Sequence, residues 1–300
     1  MVVAACLGFA LASQWSSLPD IEWRFRPGWL ALSVVCQTMG TYSGVGLDAG
    51  WAQHIDTMRS TLGPKPDVWS LYGGVVEAEG EAMNPTGADY IIHALGYDTR
   101  DEYVREFTRR RPAFATTPRL ATLRGAGEEN YVHWLWNEHW SWFRQLLSNY
   151  YPEQATPFTL IWKRRSFPGR LSAGPALEAP PADEDGRIEL EPPGPRRSRE
   201  LMRVRVEYET KNLLGPVPFF GRLPRYLIAF EGTATRTPAS LPPDRSVWEF
   251  PLFVANREVP RIQAVVRNPL PGSSLEIKRV SYSKVDLPET VIRFMLEEEL

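Results

Sequence analysis

Six side chains in this sequence have the types and spacing to do chemistry, and they fall into two groups. Asp89 opens and His93 closes the polar ends of Asp89-Tyr90-Ile91-Ile92-His93-Ala94-Leu95-Gly96; four residues apart, they project to one face of a strand. With Tyr72, at the end of Trp69-Ser70-Leu71-Tyr72, they form a possible polar site at strand ends. A histidine placed there serves as a general base, because imidazole titrates near neutrality. The competing reading is a strand-end histidine bonded to backbone. The second group is Trp134, Glu138 and Trp142, spaced so that they stack along one helix face. Two indole faces flanking a carboxylate that accepts hydrogen bonds from hydroxyls make a possible sugar-binding surface. Here the competing reading is packing of a helix surface.

Other chemistries find no support. His133 and His139 are six residues apart, whereas two histidines sharing a metal on a helix want a spacing of four. His139 also falls on an apolar stripe, as a core histidine would. Cys6 and Cys36 lack the partners of a zinc site and are too few for a disulfide framework. No phosphate-binding glycine loop, dinucleotide fingerprint, nucleophile elbow or paired-cysteine motif occurs, so neither a metal nor a cofactor is expected. A net charge of −2 argues against nucleic acid as a partner, since phosphate neutralisation needs a basic surface. Arg109-Arg110-Arg111, Lys163-Arg164-Arg165 and Arg196-Arg197 are short basic runs of the kind that end helices or charge linkers. The aromatic content, 12%, suits membrane interfaces and sugar faces, or equally large cores.

The elements that position these residues follow from periodicity. Residues 1–45 hold two short apolar runs, Met1–Ala12 and Trp29–Met39, bordered by Trp15, Trp23 and Trp29. About 20 apolar residues cross a bilayer, so each run reads as a partial membrane anchor, a piece of a multi-span protein, or a buried hairpin. Residues 50–166 read as an α/β lobe. Its expected helices are Trp51–Leu62, Thr99–Arg110 (capped by Asp98 or Thr99) and Glu129–Tyr150, the last with apolar positions 132, 135, 136, 139, 143, 146, 147 and 150. Its expected strands are Val68–Tyr72, Tyr90–Leu95, Ala113–Thr117 and Phe158–Lys163. The apolar Ile91-Ile92 centre and the strand–helix alternation predict a three-layer, mostly parallel sheet. Residues 167–199 are rich in Pro and acid and read as a linker. Residues 200–287, or from 187, carry clean alternation (Met202, Val204, Val206 and Tyr208 inward) and predict an antiparallel β-sandwich. Residues 288–300 close with a helix.

The order Pro66-Asp67-Val68-Trp69-Ser70-Leu71-Tyr72, then Asp89–Gly96, a Tyr103/Phe107 helix, a Trp-rich helix and Ile161-Trp162-Lys163-Arg164 resembles the soluble C-terminal tail of bacterial multi-span membrane glycosyltransferase-like proteins. These are the polyprenyl-phosphate-sugar-dependent enzymes of the mannosyltransferase and aminoarabinose-transferase type. The resemblance implies an extracytoplasmic, membrane-associated location in envelope assembly, with glycan or polyprenyl-linked sugar as partner and the membrane contacted through residues 1–45. In that family the catalytic acids lie in a loop between the first membrane spans. This sequence has no matching loop, so no catalytic residue transfers. The expectation is an extramembrane portion that binds or positions glycan and is not catalytic by itself. The alternative is a stand-alone carbohydrate-binding or structural envelope protein; a third reading is a soluble enzyme using His93.

Overall fold

The structure, a computed structural model, describes residues 50, 52–64, 66–71, 97–120, 131–167, 169, 171–192, 199–212, 224–255 and 258–298. The chain divides into two compact units between Ala52 and Gln53, and the elements below all belong to the second, Gln53–Leu300. The apolar segment 1–45, the strand expected at Tyr90–Leu95, and the candidate residues Tyr72, Asp89 and His93 lie outside the described residues. Among the described residues no helix is long and apolar enough to cross a membrane.

Helix α1 (53–62) turns Met58 and Leu62 inward. It ends at Gly63, whose φ of 72° is one that glycine adopts without strain. Strand β1 (Val68–Ser70) follows. Helix α2 (Tyr97–Arg110) starts two residues before the expected Thr99, placing Asp98 in its first turn, where the helix dipole favours an acid. Strand β2 (Phe114–Pro118) leads towards the Trp-rich region. The single helix expected over Glu129–Tyr150 is two: α3 (Tyr131–Glu138) and α4 (Trp140–Asn149), broken at His139 with φ −117° and ψ 32°. Every position of the apolar stripe is nonetheless buried. Tyr150 begins β3 (Tyr150–Ala155) instead of ending the helix, and β4 (Thr159–Arg164) returns beside it.

These four strands form a sheet in the order β1-β2-β4-β3. β1 and β2 are parallel, but β2–β4 and β3–β4 are antiparallel, which corrects the expectation of a mostly parallel sheet. The local reason is the tight turn between β3 and β4. There Thr156 Oγ1 accepts the backbone N–H of Thr159 at 2.9 Å and of Phe158 at 3.2 Å, and a short connection can only reverse the strand. α1 covers one face, with Met58 and Leu62 against Val68 and Ile161. The other face, with Trp69, Ala115, Leu160 and Trp162, packs against α2, α3 and α4.

The C-terminal half is two four-stranded antiparallel sheets. Their strands are β5 (Leu177–Glu178), β6 (Arg187–Glu189), β7 (Arg199–Lys211), β8 (Arg225–Glu231), β9 (Ala239–Leu241), β10 (Val247–Ala255), β11 (Arg261–Arg267) and β12 (Ser274–Val285). One sheet has the order β10-β7-β12-β5 and the other β6-β11-β8-β9. They close on a shared core to which Met202, Val204, Val206 and Tyr208 contribute as their alternation predicts, opposite Tyr226, Ile228 and Ile262.

The segment expected as a linker is stitched into this sandwich. β5 pairs with β12 and β6 with β11, and Ser172 and Gly174 exchange backbone hydrogen bonds with Asp286 and Lys284. Edge positions tolerate proline because one side of the strand needs no partner, so a Pro-rich composition suits a short edge strand as well as a tether. The apolar core is continuous across the halves. Leu201, Phe253 and Val285, at one end of the first sandwich sheet, pack in the same cluster as Trp69, Trp136 and Trp142. Helix α5 (Glu289–Leu296) adds Val291, Ile292 and Met295 to that cluster. After it, Glu297 pairs with Arg119 at 3.0 Å and Glu298 with Arg199 at 2.6 Å.

Candidate functional site

The three residues expected to make a sugar-binding face do not share a surface. Trp142, on α4, has no exposed area and packs tilted against Phe107 and edge-to-face against Phe143, with ring centroids at 4.9 and 5.1 Å. It offers no free ring face to a sugar. Trp134, on α3, is half-buried and stacked on Tyr131 at 5.2 Å. Glu138 ends α3 and is buried. The break at His139 places Trp142 on a separate helix from the other two.

Glu138 instead centres a buried polar cluster between the helices and the sandwich. Arg100, in the first turns of α2, donates from Nη2 to Glu138 Oε2 at 3.0 Å, and the two side chains are only 11% and 6% exposed. The guanidinium carbon of Arg100 lies 5.6 Å from the ring centre of Trp248 on β10, a cation–π contact. Burial pushes the Glu138 carboxyl above the usual carboxylate range, opposed by the charge and hydrogen bond of Arg100, the charge of Arg225 and the Ser240 hydroxyl. Asn137 donates to the carbonyl of Thr237 at 3.2 Å. Two histidines share this region. Burial lowers His133 to about 4; burial, with the positive charge of Arg100 added, lowers His139 to about 3. Both are neutral at physiological pH. The desolvated ion pair ties α2 to α3, while Asn137 on Thr237 and Arg100 over Trp248 join these helices to the sandwich. Among the described residues no group of three or more His, Cys, Asp or Glu could hold a metal ion.

A second site was not foreseen from the sequence. On the outer face of the β6-β11-β8-β9 sheet lies an open groove of about 470 Å³. Tyr226, Ile228 and Phe230 of β8 point into the sandwich, so Leu227 and Ala229 point outward. Register places Leu227 opposite Val265 of β11, and these apolar residues form the floor. Glu231, Arg236, Glu258 and Arg267 line the walls. Glycine builds one wall. Gly232 has φ 66°, and a Cβ there would lie 2.9 Å from the carbonyl oxygen of Val259 and 3.4 Å from a carboxylate oxygen of Glu258. Only a residue without a side chain lets the Glu258 segment close over the end of β8. The groove carries two guanidiniums and two carboxylates over an aliphatic floor, and its volume lies within the range of small-molecule sites. The sequence signal was the outward set of two alternating strands, but nothing local showed which outward residues would meet.

No family model matches the chain, and neither a curated protein nor a solved structure matches it.

Proposed function

We propose that this protein is the extramembrane portion of a glycosyltransferase-like envelope protein, and that it binds or positions a glycan or lipid-linked sugar at the outer groove of the sandwich. The observation that carries this reading is the groove itself, with Arg236 and Arg267 facing the same space as Glu231 and Glu258 above Leu227, Ala229 and Val265. Sugars present hydroxyls that both donate and accept, beside aliphatic C–H faces. Walls that hold both donors and acceptors over an apolar floor meet both requirements. The balance of charge favours an uncharged sugar ring over a polyanion.

The motif residues shared with the glycosyltransferase-like tails support the rest of the reading as a scaffold. Trp69 donates to the Tyr103 hydroxyl at 2.8 Å, and Trp162 donates to Thr117 at 3.0 Å, both in the buried core. These residues build the α/β lobe, whose core continues into one end of the sandwich. The test is calorimetric titration of the full chain with short neutral oligosaccharides and a polyprenyl-phosphate-linked sugar, beside Arg236→Ala. A hydrogen bond from a charged donor contributes about 1.5–3 kcal/mol, so Arg236→Ala weakens binding roughly 10- to 100-fold. No heat from any of these ligands, or equal binding by the variant, overturns the reading.

A further inference from the structure

We infer that the C-terminal end of α2 and the loop after β4 form a docking surface for a bilayer bearing anionic lipid, with Phe167 as the residue that enters it. Phe167 is 86% exposed, while the other exposed large apolar side chain among the described residues, Val247, reaches only 36%. A single exposed apolar residue is ordinary on a protein surface. Its surroundings are not. Arg109-Arg110-Arg111 ends α2, and Arg164-Arg165 precedes Phe167 by two residues.

The fold joins these two runs. Arg111 takes a left-handed conformation, φ 49°, and its carbonyl accepts a hydrogen bond from the Arg164 guanidinium. Arg165 donates from Nε to the Tyr150 carbonyl at 3.0 Å, which holds its base against β3. Among the described residues the carboxylates nearby are fewer. Glu106 pairs with Arg109 at 2.6 Å and Arg110 at 3.1 Å, and Asp67 lies close enough to Tyr150 for its charge to add to burial in raising that phenol, against the charge of Arg164. Lys163 is occupied by Glu153 at 3.0 Å. Among the described residues, five guanidiniums against two carboxylates make a local positive excess on a chain whose net charge is −2.

The loop is also held. A Cβ at Gly169 would meet the Ser148 carbonyl oxygen at 3.0 Å, so the chain passes tightly against the end of α4 just after Phe167. Phe167 stands out between Arg165 and Gly169, each of which lies close against neighbouring backbone. The helix dipole accounts for Arg109 and Arg110 at the end of α2. It does not account for Arg164, Arg165 and an outward aromatic beside them. Arginines next to an aromatic ring are what an anionic membrane interface selects: the guanidiniums meet lipid phosphates and the ring sits at headgroup depth.

The experiment contains no sugar, so it stands or falls apart from the proposed function. A nitroxide is attached at Ser166→Cys in the 300-residue chain carrying Cys6→Ser and Cys36→Ser. Its accessibility to oxygen and to a water-soluble nickel chelate is read on phosphatidylcholine vesicles, with and without phosphatidylglycerol. The expected result is loss of nickel accessibility only when phosphatidylglycerol is present, while a label at Val247→Cys stays accessible. Neutralising Arg109 and Arg110 to Gln raises the lipid concentration for half-immersion about fivefold per arginine, and Phe167→Ala raises it further. A label that stays accessible on both vesicles overturns the assignment. So does immersion that ignores lipid charge, equal immersion at Val247→Cys, or an unchanged half-point in the arginine variants. Reading depth at this loop keeps any attachment through residues 1–45 from deciding the outcome.

Discussion

Removing Arg100 isolates the energetics of the buried cluster. In Arg100→Met the Glu138 carboxylate, 6% exposed, loses the guanidinium 3.0 Å away and keeps its burial. Breaking a buried pair in this way costs about 3–5 kcal/mol, because the surviving charge is left without its partner. For a folding unit of this size each kcal/mol moves the melting temperature by about 2–4 °C, so Arg100→Met should melt roughly 6–20 °C lower at neutral pH. The double variant Arg100→Met/Glu138→Met removes both charges and should recover most of that loss, since apolar replacements of a buried pair are often neutral. The pH dependence has a definite sign. The folded-state pKa of Glu138 is raised by burial, and losing Arg100 raises it further. A raised carboxyl favours the folded state below its unfolded pKa and loses that advantage as pH rises through the folded value. The deficit of Arg100→Met against the parent should therefore be smallest near pH 4 and grow towards pH 7. Thermal melts followed by circular dichroism across that range measure it. A loss under about 1 kcal/mol, additive with Glu138→Met and flat with pH, would refute the account of a desolvated pair.

Three further outcomes are expected. His133 and His139, held neutral with folded values of about 4 and about 3, give stability that is present above the ordinary histidine value and lost as pH falls. His139→Phe should thus shift the acid-unfolding midpoint to lower pH in a fluorescence titration, and an unchanged midpoint would count against burial of the neutral ring. Gly232→Ala forces a side chain into a left-handed conformation against the Val259 carbonyl, costing roughly 1–2 kcal/mol and displacing the Glu258 wall. Denaturant unfolding measures the first effect, and loss of oligosaccharide heat in calorimetry measures the second. Trp142→Ala empties a fully buried site and should cost about 3–5 kcal/mol; ligand binding by whatever remains folded should be unchanged, which separates this tryptophan from any sugar contact.

Local pattern made most elements legible. The inward set of β7, the stripe that became α3 and α4, and the closing helix after Pro288 are each written in consecutive residues, and burial follows them. Trp134, Glu138 and Trp142 show where the same pattern misleads. Four-residue spacing puts side chains on one face, but it does not say whether that face meets solvent or the sandwich. The candidates Tyr72, Asp89 and His93 fall outside the described residues and carry no structural outcome.

Periodicity within a strand or helix is a property of neighbours, so the sequence by itself determined the strand-rich mixed α/β character, the alternating core of the sandwich and the amphipathic helices. Meetings between distant residues were decided by tertiary structure alone. Arg100 finds Glu138, Arg164 finds Arg111, and the walls of the outer groove converge because register and packing bring separate segments together. A polar residue facing outward looks the same in sequence whether it faces water, a ligand or another part of the chain, and only the position of the opposing surface distinguishes them.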